Sequence, residues 1–69
     1  MKSVYLVYDE CHGLQMVCGN ETLATIKVRE IAQQDYDLDV DRTPLDYSGA
    51  VSRYGWDGIA WWDREVVYD

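Results

Sequence analysis

Histidine, cysteine and the basic residues are scarce in this chain of 69 residues, and each shortage excludes a class of site. With one histidine, His12, and two cysteines, Cys11 and Cys18, a closed four-ligand zinc site would need a carboxylate or a second chain. No glycine-rich phosphate loop is present, and His12 is the only candidate base for a nucleophilic triad. The sequence therefore predicts no metal and no other cofactor, and it favours a protein that is not an enzyme.

Long apolar runs are also missing. No stretch approaches the roughly 18 apolar residues of a transmembrane helix, and the apolar run after Lys2 is too short for a secretory leader. We therefore expect a cytoplasmic protein in which Cys11 and Cys18 are reduced thiols. A disulfide that joins these two cysteines across a hairpin is the alternative for an oxidising compartment.

The shortage of basic residues gives the chain a net charge of −7, from 6 Lys and Arg against 13 Asp and Glu. Phosphate backbones and anionic membranes repel such a chain, so we expect no direct binding to nucleic acid or membrane. A protein partner with a basic surface is favoured instead. The acidity lies in the second half, since residues 35–69 contain nine acids and three bases, against four and three in residues 1–34.

The local patterns predict a single α+β domain over residues 1–69, a mainly antiparallel sheet of three to four strands with one main helix in β-β-α-β-β order. Residues 4–8 are β-branched and aromatic, which is typical of a central strand. A turn that ends at Gly13 leads into a returning strand at residues 14–18.

The helix is predicted over residues 21–34, with Asn20 as its N-cap. Its apolar stripe consists of Ala24, Val28, Ile31 and Ala32. Residues 46–58 fit either a short helix from Gly49 to Tyr54, ended by Gly55, or an irregular loop. Residues 59–68 predict one long final strand.

Residues 35–41 alternate strictly between aspartate and an apolar residue, which predicts a half-buried strand. Tyr36, Leu38 and Val40 would then face the core and the four aspartates would face water. Alternate residues on a strand lie about 6.6 Å apart, close to the spacing of successive phosphates in a nucleic-acid strand. Such an acidic ladder could mimic DNA, or it could only keep the strand solvated.

Tyrosine and tryptophan make up the aromatic set, with six Tyr, three Trp and no Phe. Both residue types suit half-buried positions and binding surfaces. Trp61 and Trp62 are adjacent, so on a strand they would point to opposite faces of the sheet. The residues that we expect to contact a partner are Asp35, Asp37, Asp39, Asp41, Asp46, Trp61 and Trp62.

The short acidic chain, its strand–turn–strand–helix opening and its acidic ladder resemble the small early proteins of phages and mobile elements that inhibit restriction or CRISPR systems. The resemblance implies a stoichiometric inhibitor in the host cytoplasm that occludes a basic nucleic-acid-binding surface of its target. It transfers no site residues. The alternative is a structural or accessory interaction module, or a homodimer, that associates through its aromatic face.

Overall fold

The structure, a computed structural model, describes residues 2–42, 53–56 and 58–67. It contains one helix and one four-stranded antiparallel sheet of order β2-β1-β4-β3, which confirms the α+β class and the β-β-α-β-β order. The elements are β1 (Lys2–Asp9), β2 (Gly13–Cys18), α1 (Glu21–Tyr36), β3 (Arg53–Trp56) and β4 (Ala60–Val67).

The two central strands are β1 and β4, which pair over eight residues each, from Lys2 opposite Val67 to Asp9 opposite Ala60. The position of β1 between β2 and β4 confirms the prediction of a central first strand. Gly13 has a φ of 73° at the β1–β2 turn, which is a conformation that glycine adopts without strain. The long final strand is confirmed as β4.

Helix α1 begins after Asn20, whose side chain accepts a hydrogen bond from the Leu23 amide at 2.8 Å. This is the predicted N-cap, and it satisfies one of the amide groups that the first turn leaves without a helical partner. The four buried residues of the helix are the predicted stripe of Ala24, Val28, Ile31 and Ala32. They pack against one face of the sheet.

The strand predicted at residues 35–41 is wrong. Helix α1 continues to Tyr36, and Asp37 then adopts the left-handed conformation, with φ 54° and ψ 35°, which ends the helix. The burial nevertheless alternates as predicted, because Tyr36, Leu38 and Val40 pack against the core. Alternating burial is necessary for a half-buried strand, but a strand also requires a hydrogen-bonded neighbour, and this segment pairs with none of the described strands.

The third strand is instead β3, which lies where the sequence favoured a short helix or a loop. Its residues 53 and 54 are therefore extended, while the rest of the predicted helix and Asp46 lie outside the described residues. The β3–β4 connection contains Gly58 with a φ of 79°, a conformation that glycine adopts without strain.

The core is centred on Trp62, which is 1% exposed. Its ring meets Tyr5 edge-on at 4.9 Å and stacks on Tyr54 at 5.9 Å, and its Nε1 donates to the Thr25 hydroxyl at 3.1 Å. One side chain therefore contacts β1, β3 and α1. Such aromatic pairs contribute about 0.5–1.5 kcal/mol each beyond the area that they bury.

Gly55 is a position where only glycine fits. Its φ is 138°, and a Cβ atom there would lie 2.6 Å from the Trp61 Cα. We predict that Gly55→Ala lowers the free energy of unfolding by about 2–4 kcal/mol, because β3 and β4 would have to separate.

The matched control is Gly19→Ala, since a Cβ at Gly19 has no neighbour within 4 Å. We expect a change of less than about 0.5 kcal/mol for this variant in urea unfolding followed by tryptophan fluorescence. Equal losses for the two variants would contradict the close approach at Gly55.

Candidate functional site

The two faces of the sheet differ in their cover. Val7, Ala60 and Trp62 point toward α1 and are completely or almost completely buried. Their neighbours along each strand point to the opposite side, because side chains alternate across a strand. None of the described elements packs on that side, which we call the open face.

The open face is largely apolar. Its apolar side chains, placed by the strand register, are Val4, Leu6, Tyr8, Leu14, Val17, Trp61 and Val67. Leu14, Val17 and Val67 are 52%, 55% and 42% exposed. The other four are half-buried. Exposed apolar residues that occur singly are ordinary, but three exposed and four half-buried apolar side chains on one face form a patch, and such patches mark contact surfaces.

Trp61 lies at the centre of an aromatic and ionic cluster on this face. Its ring stacks on Tyr8 with the ring centres 5.8 Å apart, and the Arg53 guanidinium lies over it at 5.6 Å. Arg53 Nε also donates to the Asp63 carboxylate at 2.9 Å. The cluster holds Trp61 half-exposed in a fixed orientation, which suits an aromatic anchor for a partner.

Within the described residues the open face carries no net charge, although the chain as a whole has a charge of −7. Its charged side chains are two bases and two acids, Lys2, Arg53, Asp63 and Glu65. The excess acidity of the described residues therefore lies outside the face. A surface of this kind can be desolvated by a partner at low electrostatic cost, while the acids elsewhere attract a basic partner over a longer range.

The two predicted tryptophan contacts have different positions. Trp61 and Trp62 point to opposite faces of the sheet, as predicted. Trp61 is on the open face, and Trp62 is buried under α1, so only Trp61 is placed to touch a partner without unfolding the core. The sequence could not show which of the two tryptophans is buried, because the alternation of a strand is satisfied with either one facing the core.

The predicted aspartates do not form a straight row, because the backbone turns at Asp37. Asp41 accepts a hydrogen bond from Arg29 at 2.9 Å, and Asp39 lies 3.6 Å from the Arg42 guanidinium. The Tyr54 hydroxyl and the Asp41 carboxylate raise the pKa of Arg29. Half of the predicted ladder thus interacts with cations of its own chain, and the regular spacing expected of a phosphate mimic is absent.

Asp35 and Asp37 remain exposed, and neither has an ion pair within the described part of the chain. Asp35 lies on the last turn of α1, and Asp37 caps its end. Asp46, the last predicted aspartate, lies outside the described residues. Of the predicted aspartates, Asp35 and Asp37 are thus the two that are exposed and without an ion pair among the described residues.

A buried carboxylate at the β1–β2 turn was missed by the sequence analysis. Asp9 is 2% exposed, and its Oδ1 accepts from the amides of Cys11 and His12, each at 2.8 Å, and from the Tyr36 hydroxyl at 3.2 Å. His12 Nδ1 lies 3.1 Å from Oδ2. An aspartate that begins a turn commonly bonds the amides that follow it, and this is the signal that could have identified Asp9.

Burial raises the pKa of Asp9, but the His12 side chain and the two backbone amides outweigh it, and the pKa lies below the ordinary value of 3.8. The contact with Cys11, then burial and the charge of Asp9, raise the pKa of Tyr36 to about 12, so its hydroxyl keeps the proton that it donates. Asp9 therefore uses its acceptor capacity to fix the turn and to bind the end of α1 to it. In catalytic triads a buried carboxylate orients an imidazole in a similar way. The His12 side chain, however, is 66% exposed, so its imidazole lies at the surface.

The described residues contain no group of three or more His, Cys, Asp or Glu side chains that could hold a metal ion. Cys11 lies in the exposed turn, and Cys18 is buried at the far end of β2. The five strand steps from Gly13 to Cys18 cover about 16 Å, while a disulfide needs Cα atoms within about 7 Å. The disulfide alternative for Cys11 and Cys18 is therefore wrong.

Comparison of the chain with models of protein families, with curated proteins and with solved structures found no match in any of the three. The resemblance to phage inhibitors therefore stays a prediction. None of the helices among the described residues is long and apolar enough to cross a membrane.

Asp9→Asn is expected to lower the free energy of unfolding by about 1–3 kcal/mol at neutral pH, because charge-assisted hydrogen bonds to a buried acceptor are lost. Because the folded-state pKa of Asp9 is depressed, its ionised form stabilises the fold above pH 3.8, and this contribution disappears as the pH falls through the lower folded-state value. Urea unfolding at neutral pH and at about pH 3 measures both effects.

The variant should therefore show a smaller loss of stability on acidification than the wild-type chain. Glu10→Gln is the matched control, since Glu10 is the exposed neighbour and its carboxylate has no hydrogen bond within the described residues. A pH dependence in Asp9→Asn identical to that of the wild type would contradict the assignment.

Proposed function

We propose that this protein is a small acidic protein-binding domain that acts without catalysis, and that its contact surface is the open face of the sheet. The observation that carries the proposal is that the described part of this face is largely apolar and has equal numbers of acids and bases, in a chain of charge −7. Trp61, fixed by Tyr8 and Arg53, provides the central anchor. Tryptophan, tyrosine and arginine are the residue types that dominate binding energy at interfaces.

The occupant that fits this surface is an apolar patch of another protein, bordered by basic residues. Two copies of this chain would each bring a charge of −7, which opposes association, whereas a basic partner gains attraction. The homodimer is thus the less favoured occupant. The two free cysteines, too far apart to form a disulfide, support a cytoplasmic location, where thiols stay reduced.

Trp61→Gln combined with Val67→Asn tests the contact surface. Both side chains are at least partly exposed, so the fold should persist, and we expect partner binding to weaken about tenfold or more. Binding is measured by quantitative capture of the partner identified with the wild-type chain, at several salt concentrations.

Ile26→Asn provides the control, since Ile26 is 54% exposed on α1, which packs on the other face of the sheet. It should leave binding unchanged. Weakening by the helix variant and none by the double variant would move the contact surface to α1. Sedimentation that showed a tight self-association, lost in the double variant, would identify a second copy as the occupant.

A second candidate function is the inhibitor that occludes a basic nucleic-acid-binding surface of a target. What supports it is the pair of exposed carboxylates, Asp35 and Asp37, which have no ion pair within the described residues and lie at the end of α1 in a strongly acidic chain. The aspartates do not form the evenly spaced row that strict DNA mimicry would require, because the backbone turns at Asp37. Charge attraction to a basic surface remains.

Replacement of Asp35 and Asp37 by asparagine tests this candidate. Asparagine tolerates the left-handed conformation that Asp37 adopts, so the helix end should be preserved. If the acids engage a basic surface, partner affinity falls and its dependence on salt becomes shallower. Unchanged affinity and salt dependence would restrict these aspartates to solvation of the helix end.

A further inference from the structure

Strand β2 forms one edge of the sheet and is poorly protected. It pairs with β1 on one side, and none of the other described strands lies along its second side. Its six residues contain no charge and no proline, and its first five are exposed. Natural sheets usually protect an edge with charges, prolines or a covering element, because unpaired N–H and C=O groups recruit another strand.

Apolar side chains are exposed on both sides of this edge. Leu14 and Val17 lie on the open face at 52% and 55% exposure, and Met16 lies on the helix side at 38%. An added strand would cover side chains on both faces of the sheet as well as the free backbone groups.

A groove lies beside the edge, between β2 and α1. Its volume is about 230 Å³, and its lining consists of Gln15, Lys27, Glu30, Ile31, Gln34 and Asp35. Because Gln15 belongs to β2 and the other five to α1, alternate side chains of an added strand would point into it.

The groove favours a basic side chain. Lys27 Nζ lies 3.4 Å from Glu30, so these two charges compensate each other. Asp35 has no ion pair within the described part of the chain, which leaves the groove with one uncompensated negative charge. Gln15 and Gln34 add side-chain amides that can donate and accept hydrogen bonds.

We propose that the free edge of β2 receives an extended segment of a partner protein as a fifth strand. Alternate Lys or Arg side chains of that segment enter the groove beside Asp35, and the apolar side chains between them cover Leu14 and Val17. This surface is distinct from the centre of the open face, so the proposal stands independently of the function proposed above.

A second copy of this chain is a poorer occupant of the edge. Its own β2 contains no basic residue to place in the groove, and it adds a second charge of −7. A segment of a different and basic protein is therefore the favoured occupant.

The test uses the full chain and a synthetic capped peptide of about ten residues that alternates lysine and valine. In one analogue every lysine amide is N-methylated, and in another every valine amide. All three peptides have the same charge. In an added strand the backbone amides of one residue type point toward β2 and those of the other point to solvent. Methylation of the amides that point toward β2 removes the hydrogen bonds to that strand, and methylation of the others does not.

We expect the peptide to bind and to slow amide hydrogen exchange within β2. One analogue should bind about tenfold more weakly than the other. Asp35→Asn should weaken binding about two- to fivefold, which is the effect of one partly exposed ion pair. Glu65→Gln is the control, since it removes the same charge from the open face, away from the groove. It should weaken binding less than Asp35→Asn, because only the long-range attraction between the two charged molecules changes.

Several results would overturn the proposal. Equal binding of the two analogues would mean that charge alone attracts the peptide. Slowed exchange in β4 around Trp61, instead of in β2, would place the peptide on the open face. Protection of β2 that depends on protein concentration without peptide would indicate a second copy, and the absence of binding would exclude the edge.

The two proposals fail separately. Trp61→Gln with Val67→Asn leaves β2 intact, so peptide binding at the edge should persist in this variant. Loss of peptide binding there would assign the peptide to the open face and reject the edge. Loss of partner binding with retained peptide binding would support both assignments.

Discussion

The packing of Trp62 is the interaction on which the two layers of this small domain depend. The indole contacts β1, β3 and α1 through two aromatic pairs and one hydrogen bond. A chain of 69 residues buries only about 60% of the surface that its unfolded form exposes, so it has few such contacts to lose. A single helix is enough to cover one face of a four-stranded sheet, and the other face is left without cover among the described elements.

This asymmetry links the fold to the proposed function. One large tryptophan points inward and completes the core, and its neighbour Trp61 points outward into an apolar and neutral surface. Among the described residues, the domain presents an uncovered sheet face and an unpaired strand edge. Apolar faces and strand edges are surfaces that bind proteins and extended peptides.

Four of the described acids lie at the end of α1 and in the segment that follows it. Asp41 and Asp39 interact with Arg29 and Arg42, while Asp35 and Asp37 remain available. Asp9 is the opposite case, a single acid that is buried and fully engaged in hydrogen bonds at the β1–β2 turn. Asp9 therefore stabilises the fold, whereas the exposed Asp35 and Asp37 contribute to the negative electrostatic potential around the protein.

Local pattern in the sequence by itself determined the first two strands, the N-cap and buried stripe of α1, the long final strand and the strong negative charge. These features depend on neighbours within one element, such as the Asn20 side chain and the amide three residues later. Tertiary structure decided the rest. Residues 35–41 have the alternation of a strand but no neighbouring strand to pair with, and residues 53–56 form a strand because β4 is beside them. The choice between Trp61 and Trp62 for the core, and the burial of Asp9, likewise depend on where α1 packs, which no local pattern specifies.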